Sequence, residues 1–312
     1  MKYPISIILM LLGSAIFGQK SDKLTTMRDL DYGVQTHFIQ LKNDVELAYS
    51  ETGTSGDYVI FIHGLASYLP AWKKNVKVLG KNNRCIAFDL PGYGRSSKGN
   101  YTVSMDFFAD IIQEFCNIKG ITSVTLVGHS MGGQIAITTA LKYPKLVTKL
   151  VLIAPAGFET FNKGQRQWFM DVMSVDGVKL TTVEQIRINY AFNFYDMPDD
   201  AQFMVEDRIA IRATKDFVDY CYHITQGVGA MVDQPVFEFL PLITQPTLCI
   251  FGENDNLIPN RYLNGGYTST IAKSGAEKIP NCTLEMVPKA GHFVMFEKPD
   301  VVNQYIQAFL NK

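Results

Sequence analysis

Short, almost wholly apolar runs recur along the chain, separated by stretches of helical periodicity or by clusters of glycine, proline and asparagine. The runs Tyr58 to Ile62, Arg84 to Phe88, Ser123 to Val127, Val147 to Ala154, Pro246 to Gly252 and Thr283 to Val287 read as strands. Continuous apolar character fits a parallel sheet covered on both faces, where no polar side remains to alternate with. Ahead of them, Val34 to Leu41 and Val45 to Glu51, joined at Lys42-Asn43-Asp44, read as an opening hairpin. The last helix is the clearest. Pro299 suits a first helical position, and Val301, Val302, Tyr305, Ile306, Phe309 and Leu310 make one apolar face. Strands alternating with helices predict an α/β fold with a mostly parallel central sheet flanked by helices.

The alternation breaks once. From about residue 157 to 240 the pattern becomes helix-rich and carries Trp168, Phe169, Met170, Met173, Tyr190, Phe192, Phe194, Tyr195, Phe203 and Met204. This segment reads as a helical cap inserted into a core that spans 19–156 and resumes at 241–312. Its aromatic and methionine content suits an apolar acyl or aromatic group, although any one of these residues can equally serve to pack the cap onto the core.

The first 18 residues stand outside this pattern. Lys2 precedes an apolar run from Ile5 to Phe17, followed by Gly18 and the polar Gln19-Lys20-Ser21-Asp22-Lys23. That is the layout of a cleaved secretory signal peptide and predicts export to periplasm or medium. The run falls short of the roughly 20 residues that cross a bilayer, so an uncleaved anchor is the lesser reading. Net charge is −1 over 312 residues, which gives no electrostatic case for nucleic acid. The five cysteines form no disulfide framework and read as free thiols, and neither Cys-x-x-Cys nor His-Glu-x-x-His occurs, so no metal or other cofactor is expected.

The candidate chemistry centres on Gly128-His129-Ser130-Met131-Gly132, directly after an apolar strand. A strand that turns sharply into a helix lifts a serine onto a strained, exposed bend. The close approach of strand and helix demands small flanking residues, which Gly128, Gly132 and Gly133 supply. A serine alcohol is a weak nucleophile at neutral pH and needs a base and an orienting acid. Of the five histidines, His292 lies in a loop between the last strand and the C-terminal helix, where a base can reach over the sheet edge. His37, His63 and His129 read as structural, and His223 as packed or facing substrate. In this strand-turn-helix arrangement the acid falls between serine and histidine in the chain. Asp255, in the loop after a buried strand, fits; Glu253 and Glu159 are its rivals. Oxyanion donors are expected from the Met131 amide and the Leu65 amide, with Gly64 allowing close backbone approach.

Taken together, His63-Gly64-Leu65, the turn-rich loop from Asp89 to Ser97, Gly128 to Gly133, Asp255 with Pro259, and Gly291-His292-Phe293 resemble the α/β-hydrolase superfamily over nearly the whole mature length. The elbow is similar to those of capped serine carboxylesterases and monoacylglycerol-type lipases. The resemblance implies ester hydrolysis by Ser130, His292 and Asp255 through an acyl-enzyme, on a small-molecule ester with an apolar acyl or aromatic group. A second reading with the same triad is cleavage of a carbon-carbon bond in a vinylogous diketone, and a third is a ligand receptor with little turnover. Epoxide hydrolases and haloalkane dehalogenases, which attack with an aspartate, differ at Ser130.

Overall fold

The computed structural model describes residues 24–312, so the expected signal peptide lies outside the described residues. Among the described residues eight strands form one sheet: β1 (His37–Gln40), β2 (Glu46–Thr52), β3 (Tyr58–Ile62), β4 (Arg84–Phe88), β5 (Val124–His129), β6 (Val147–Ile153), β7 (Thr247–Gly252) and β8 (Cys282–Val287). Their order is β1-β2-β4-β3-β5-β6-β7-β8. Only β2 runs against the others, pairing antiparallel with both β1 and β4. The central strands are apolar because both faces are covered: Val59, Ile60, Phe61 and Ile62 of β3 and Leu150 to Ile153 of β6 are wholly buried.

Helices α1 (Lys73–Leu79), α2 (Met105–Ile118) and α3 (Met131–Lys142) follow β3, β4 and β5. Between β6 and β7 lie α4 (Lys163–Val172), α5 (Val175–Lys179), α6 (Val183–Ala191), α7 (Gln202–Ala210) and α8 (Phe217–Asp233). Helix α9 (Thr268–Ala276) lies between β7 and β8, and the chain ends in α10 (Val294–Glu297) and α11 (Pro299–Leu310). Around the sheet α2 packs with α3, and α1 with α11. Local sequence sets these helices where expected: Ser104 caps α2 by accepting from the Phe107 amide at 2.9 Å, and Pro299 opens α11.

Two elements depart from the sequence reading. The opening hairpin is shorter, since pairing starts at His37↔Tyr49 and Val34, beyond the ladder, is exposed. In α11 the buried stripe is Val302, Ile306 and Phe309, while Val301 turns 37% of its surface to solvent. Among the described residues no helix is long and apolar enough to cross a membrane.

Candidate active site

The parallel strands deliver their C-terminal ends to one edge of the sheet, and every candidate residue follows one of them. Register fixes this alignment: Ile62 pairs with Gly128, Gly128 with Leu152, and Gly252 with Val287. Leu65 follows β3, Ser130 follows β5, Asp255 follows β7 and His292 follows β8.

Ser130 sits on a strained bend, with φ 54° and ψ −120°, and is the residue immediately before α3. An ordinary side chain rarely accepts positive φ. The bend is held from below, because the Ser130 amide donates to the Ile153 carbonyl at 3.0 Å and its carbonyl accepts from the amides of Gly133 at 2.8 Å and Ala156 at 2.9 Å. The flanking glycines are steric necessities. A Cβ on Gly128 would lie 2.2 Å from the Gly132 carbonyl oxygen, and one on Gly132 would lie 2.2 Å from that of Ile62.

His292 and Asp255 form a buried pair, Nδ1 to Oδ2 at 2.7 Å, with side chains 4% and 0% exposed. The other carboxylate oxygen of Asp255 accepts from the amides of Leu257 at 2.8 Å and Ile258 at 3.1 Å. The two loops are stitched to one another as well, the Asn254 amide donating to the Ala290 carbonyl at 2.9 Å. Ser130 and His292 both line a cavity of about 610 Å³, together with Leu65, Met173, Asn193 and Phe293. Gly64 comes close to the serine: a Cβ on it would stand 3.0 Å from Ser130 Cβ. The Leu65 amide beside it donates to no acceptor among the described residues. The Met131 amide, first in α3, has no intrahelical acceptor by its position.

The rival acids are engaged with other groups. Glu159 accepts from the Asn260 amide at 2.9 Å and from Asn264 Nδ2 at 2.6 Å, and burial raises its carboxyl above the usual range. Glu253 uses its amide to reach the Val287 carbonyl. Three other histidines are braces. His63 Nδ1 donates to the Gly64 carbonyl at 2.8 Å and Nε2 accepts from the Leu90 amide at 2.9 Å; burial pushes its ring down to about 4. His129 donates from Nε2 to the His292 carbonyl at 3.0 Å, and burial, with His292 next to it, holds it neutral. His223 reaches the Gly99 carbonyl at 3.0 Å from a buried position. Asp89 is a buried post that accepts from Tyr32 Oη, the Leu69 amide and the Arg95 amide.

Two contributors went unread in the sequence. The Glu297 carboxylate accepts from the Gly291 amide at 2.8 Å, the Tyr195 amide at 3.1 Å and the Asp196 amide at 2.8 Å. With the Phe293 amide donating to the Asn193 carbonyl at 3.0 Å, it ties the histidine loop to the helical insertion. Arg208, on α7, lines a second cavity of about 400 Å³. Of the aromatic and methionine residues, Met173 and Phe192 face the serine cavity, whereas Trp168, Met170 and Tyr195 are exposed.

A sequence profile for the alpha/beta hydrolase fold matches residues 57–299. A dihydrolipoyllysine-residue acetyltransferase component of the acetoin cleaving system from Pseudomonas putida is 28% identical over 262 residues, 83% of this chain and 65% of that protein; the chain thus spans just under two thirds of that relative's length. The crystal structure of a probable hydrolytic enzyme from Pseudomonas aeruginosa superposes with a TM-score of 0.81 at 25% identity, covering 92% of this chain and 98% of the other. That of a membrane phospholipase A gives 0.74 at 25% identity, covering 90% and 86%. An eight-stranded, mostly parallel sheet with a strained serine after β5 and a buried histidine-aspartate pair beyond β7 and β8, matched by that profile over most of its length, places this chain in the alpha/beta hydrolase family.

Proposed function

We propose that this protein is a serine hydrolase that cleaves carboxylic esters through an acyl-enzyme. The observation that carries the reading is the buried 2.7 Å pair of His292 and Asp255 beneath a cavity that also exposes Ser130. Asp255 accepts from Nδ1 of His292, which leaves Nε2 free to take the Ser130 proton and then supports the imidazolium. Ser130 attacks the carbonyl, and the amides of Leu65 and Met131 receive the oxyanion. His292 next returns the proton to the leaving alcohol, and a water activated by the same histidine releases the acid. Likeness to a phospholipase A structure supports an ester as the bond cleaved. The expected leader makes the site of action periplasm or medium in this proposal.

The test is hydrolysis of p-nitrophenyl esters graded from acetate to long acyl chains, with the protein and its Ser130→Ala variant side by side. Serine-dependent turnover with a chain-length optimum supports the reading. Equal turnover by both proteins, or none by folded protein, sinks it.

A further inference from the structure

The insertion contains a charge where its sequence calls for an apolar residue. Around α7, Ala201, Met204, Val205, Arg208 and Ile211 are the buried positions, and their spacing is that of one helical face. Arg208 occupies the centre of that face at 9% exposure. A buried guanidinium normally finds a carboxylate or several carbonyls, because an uncompensated buried charge is strongly destabilising. Among the described residues Arg208 has neither a hydrogen bond nor an ion pair, and its Nη1 is buried with no acceptor. Its sequence neighbour Asp207 is engaged by Tyr68 Oη at 2.5 Å. The rings of Phe217 and Tyr220, at 5.2 Å and 5.3 Å from the guanidinium carbon, offset part of the cost through cation–π attraction. They satisfy no N–H.

Arg208 borders the 400 Å³ cavity. That cavity shares Leu65, Met173, Asn189, Asn193 and Phe293 with the one that holds Ser130 and His292, so the two are adjacent lobes with a common stretch of wall. Among the described residues no acidic side chain lines either lobe. In the serine lobe the one arginine, Arg261, lies 4.4 Å over the Phe192 ring and donates to Asn256. Among the described residues Arg208 is therefore the single cationic side chain in the lining of the second lobe, among apolar and amide groups.

We infer that the second lobe is a carboxylate subsite, and that the ester this enzyme favours carries one carboxylate remote from the scissile carbonyl, held by Arg208. The match is one of charge and shape. A planar guanidinium pairs with a carboxylate in a fork, and one cation balances a monoanion but leaves a phosphate monoester with surplus charge in an apolar lobe. This inference rests on the serine-hydrolase reading for its scissile bond, but not for its anion.

Two readouts separate the two ideas. The first compares kcat/KM for p-nitrophenyl hemiglutarate with that for p-nitrophenyl pentanoate, and for 4-acetoxybutyrate with that for butyl acetate, so that the acid lies on the acyl side in one pair and on the alcohol side in the other. The expected result is at least a tenfold preference for the anionic member of one pair. That ratio should fall by tenfold or more in Arg208→Gln and recover in part in Arg208→Lys. The second readout is calorimetric titration of the Ser130→Ala protein with monomethyl glutarate, methyl pentanoate and inorganic phosphate, which needs no turnover. Here the glutarate monoester should bind at least tenfold more tightly than the other two. Serine-dependent hydrolysis of neutral esters with no anion preference overturns the subsite and leaves the enzyme reading standing. Tight glutarate binding without hydrolysis does the reverse. Tighter binding of phosphate overturns the carboxylate assignment.

Discussion

Asp255→Asn isolates the electrostatic part of the proposed triad, because the structure dictates how the amide must sit. Oδ1 of Asp255 accepts two backbone amides, from Leu257 and Ile258. An asparagine turned the wrong way would set its NH2 against both donors, and each buried group left unpaired costs about 1–3 kcal/mol. Its carbonyl therefore stays with the loop and its NH2 faces His292 Nδ1, 2.7 Å away in the parent. Nδ1 must then accept, which moves the ring proton to Nε2, and Nε2 can no longer take a proton from Ser130. A wrong tautomer of this kind lowers kcat by about 10³–10⁴, equivalent to about 4–5.5 kcal/mol of barrier. Thermal stability should change little, since the loop keeps its hydrogen bonds. The assay is steady-state hydrolysis of p-nitrophenyl butyrate alongside a thermal melt. A variant that keeps more than a tenth of parental kcat would refute the assignment and turn attention to Glu159→Gln, the nearby buried carboxylate.

Removing the Glu297 carboxylate in Glu297→Ala strips three backbone amides of their acceptor; with water replacing part of the loss at this half-buried site, stability should drop by about 2–3 kcal/mol, and kcat should fall with it because Gly291 precedes His292. Full kcat in a destabilised variant would show the tie to be structural only. His63 gives a pH signature. Folded, it stays neutral down to about 4, whereas an unfolded histidine protonates near pH 6.5. The unfolded state thus binds the extra proton, and stability falls as pH drops through that window, by up to about 3 kcal/mol. Urea midpoints measured from pH 7 to pH 4 should decline, and less steeply in His63→Gln; identical slopes would contradict the buried neutral ring.

The sheet was legible because its strands are buried on both faces and so leave unbroken apolar runs. The elbow was legible because Gly128, Gly132 and Gly133 answer to backbone atoms 2.2–2.6 Å from any added Cβ or to the Pro155 side chain, a constraint that only small residues meet. What escaped has a physical reason in each case. Glu297 binds amides more than a hundred positions away in the chain, and no local pattern marks such a partner. Arg208 did leave a trace, as the one charge on the stripe of Met204, Val205 and Ile211, but a charge on an apolar stripe is conspicuous only once the helix bounds are known. Cavity walls in the insertion follow no simple period either, because its helices are short and several of their apolar side chains, Trp168 and Met170 among them, face solvent. Cys282 is likewise half-exposed rather than buried like the other four thiols, because it opens β8 at the margin of the sheet.

The insertion leaves the sheet after β6 and rejoins it at β7, and these two strands are direct hydrogen-bonded neighbours, from Leu150↔Thr247 to Ile153↔Ile250. The sheet therefore closes without any help from the helices between them, much as a hairpin closes regardless of what is grafted into its turn. A foreign insertion could be transplanted at those two junctions to redirect selectivity while Ser130 and Asp255 keep their places. The graft has one condition attached: it must reproduce the short strip from Asn193 to Asp196, whose backbone holds the His292 loop.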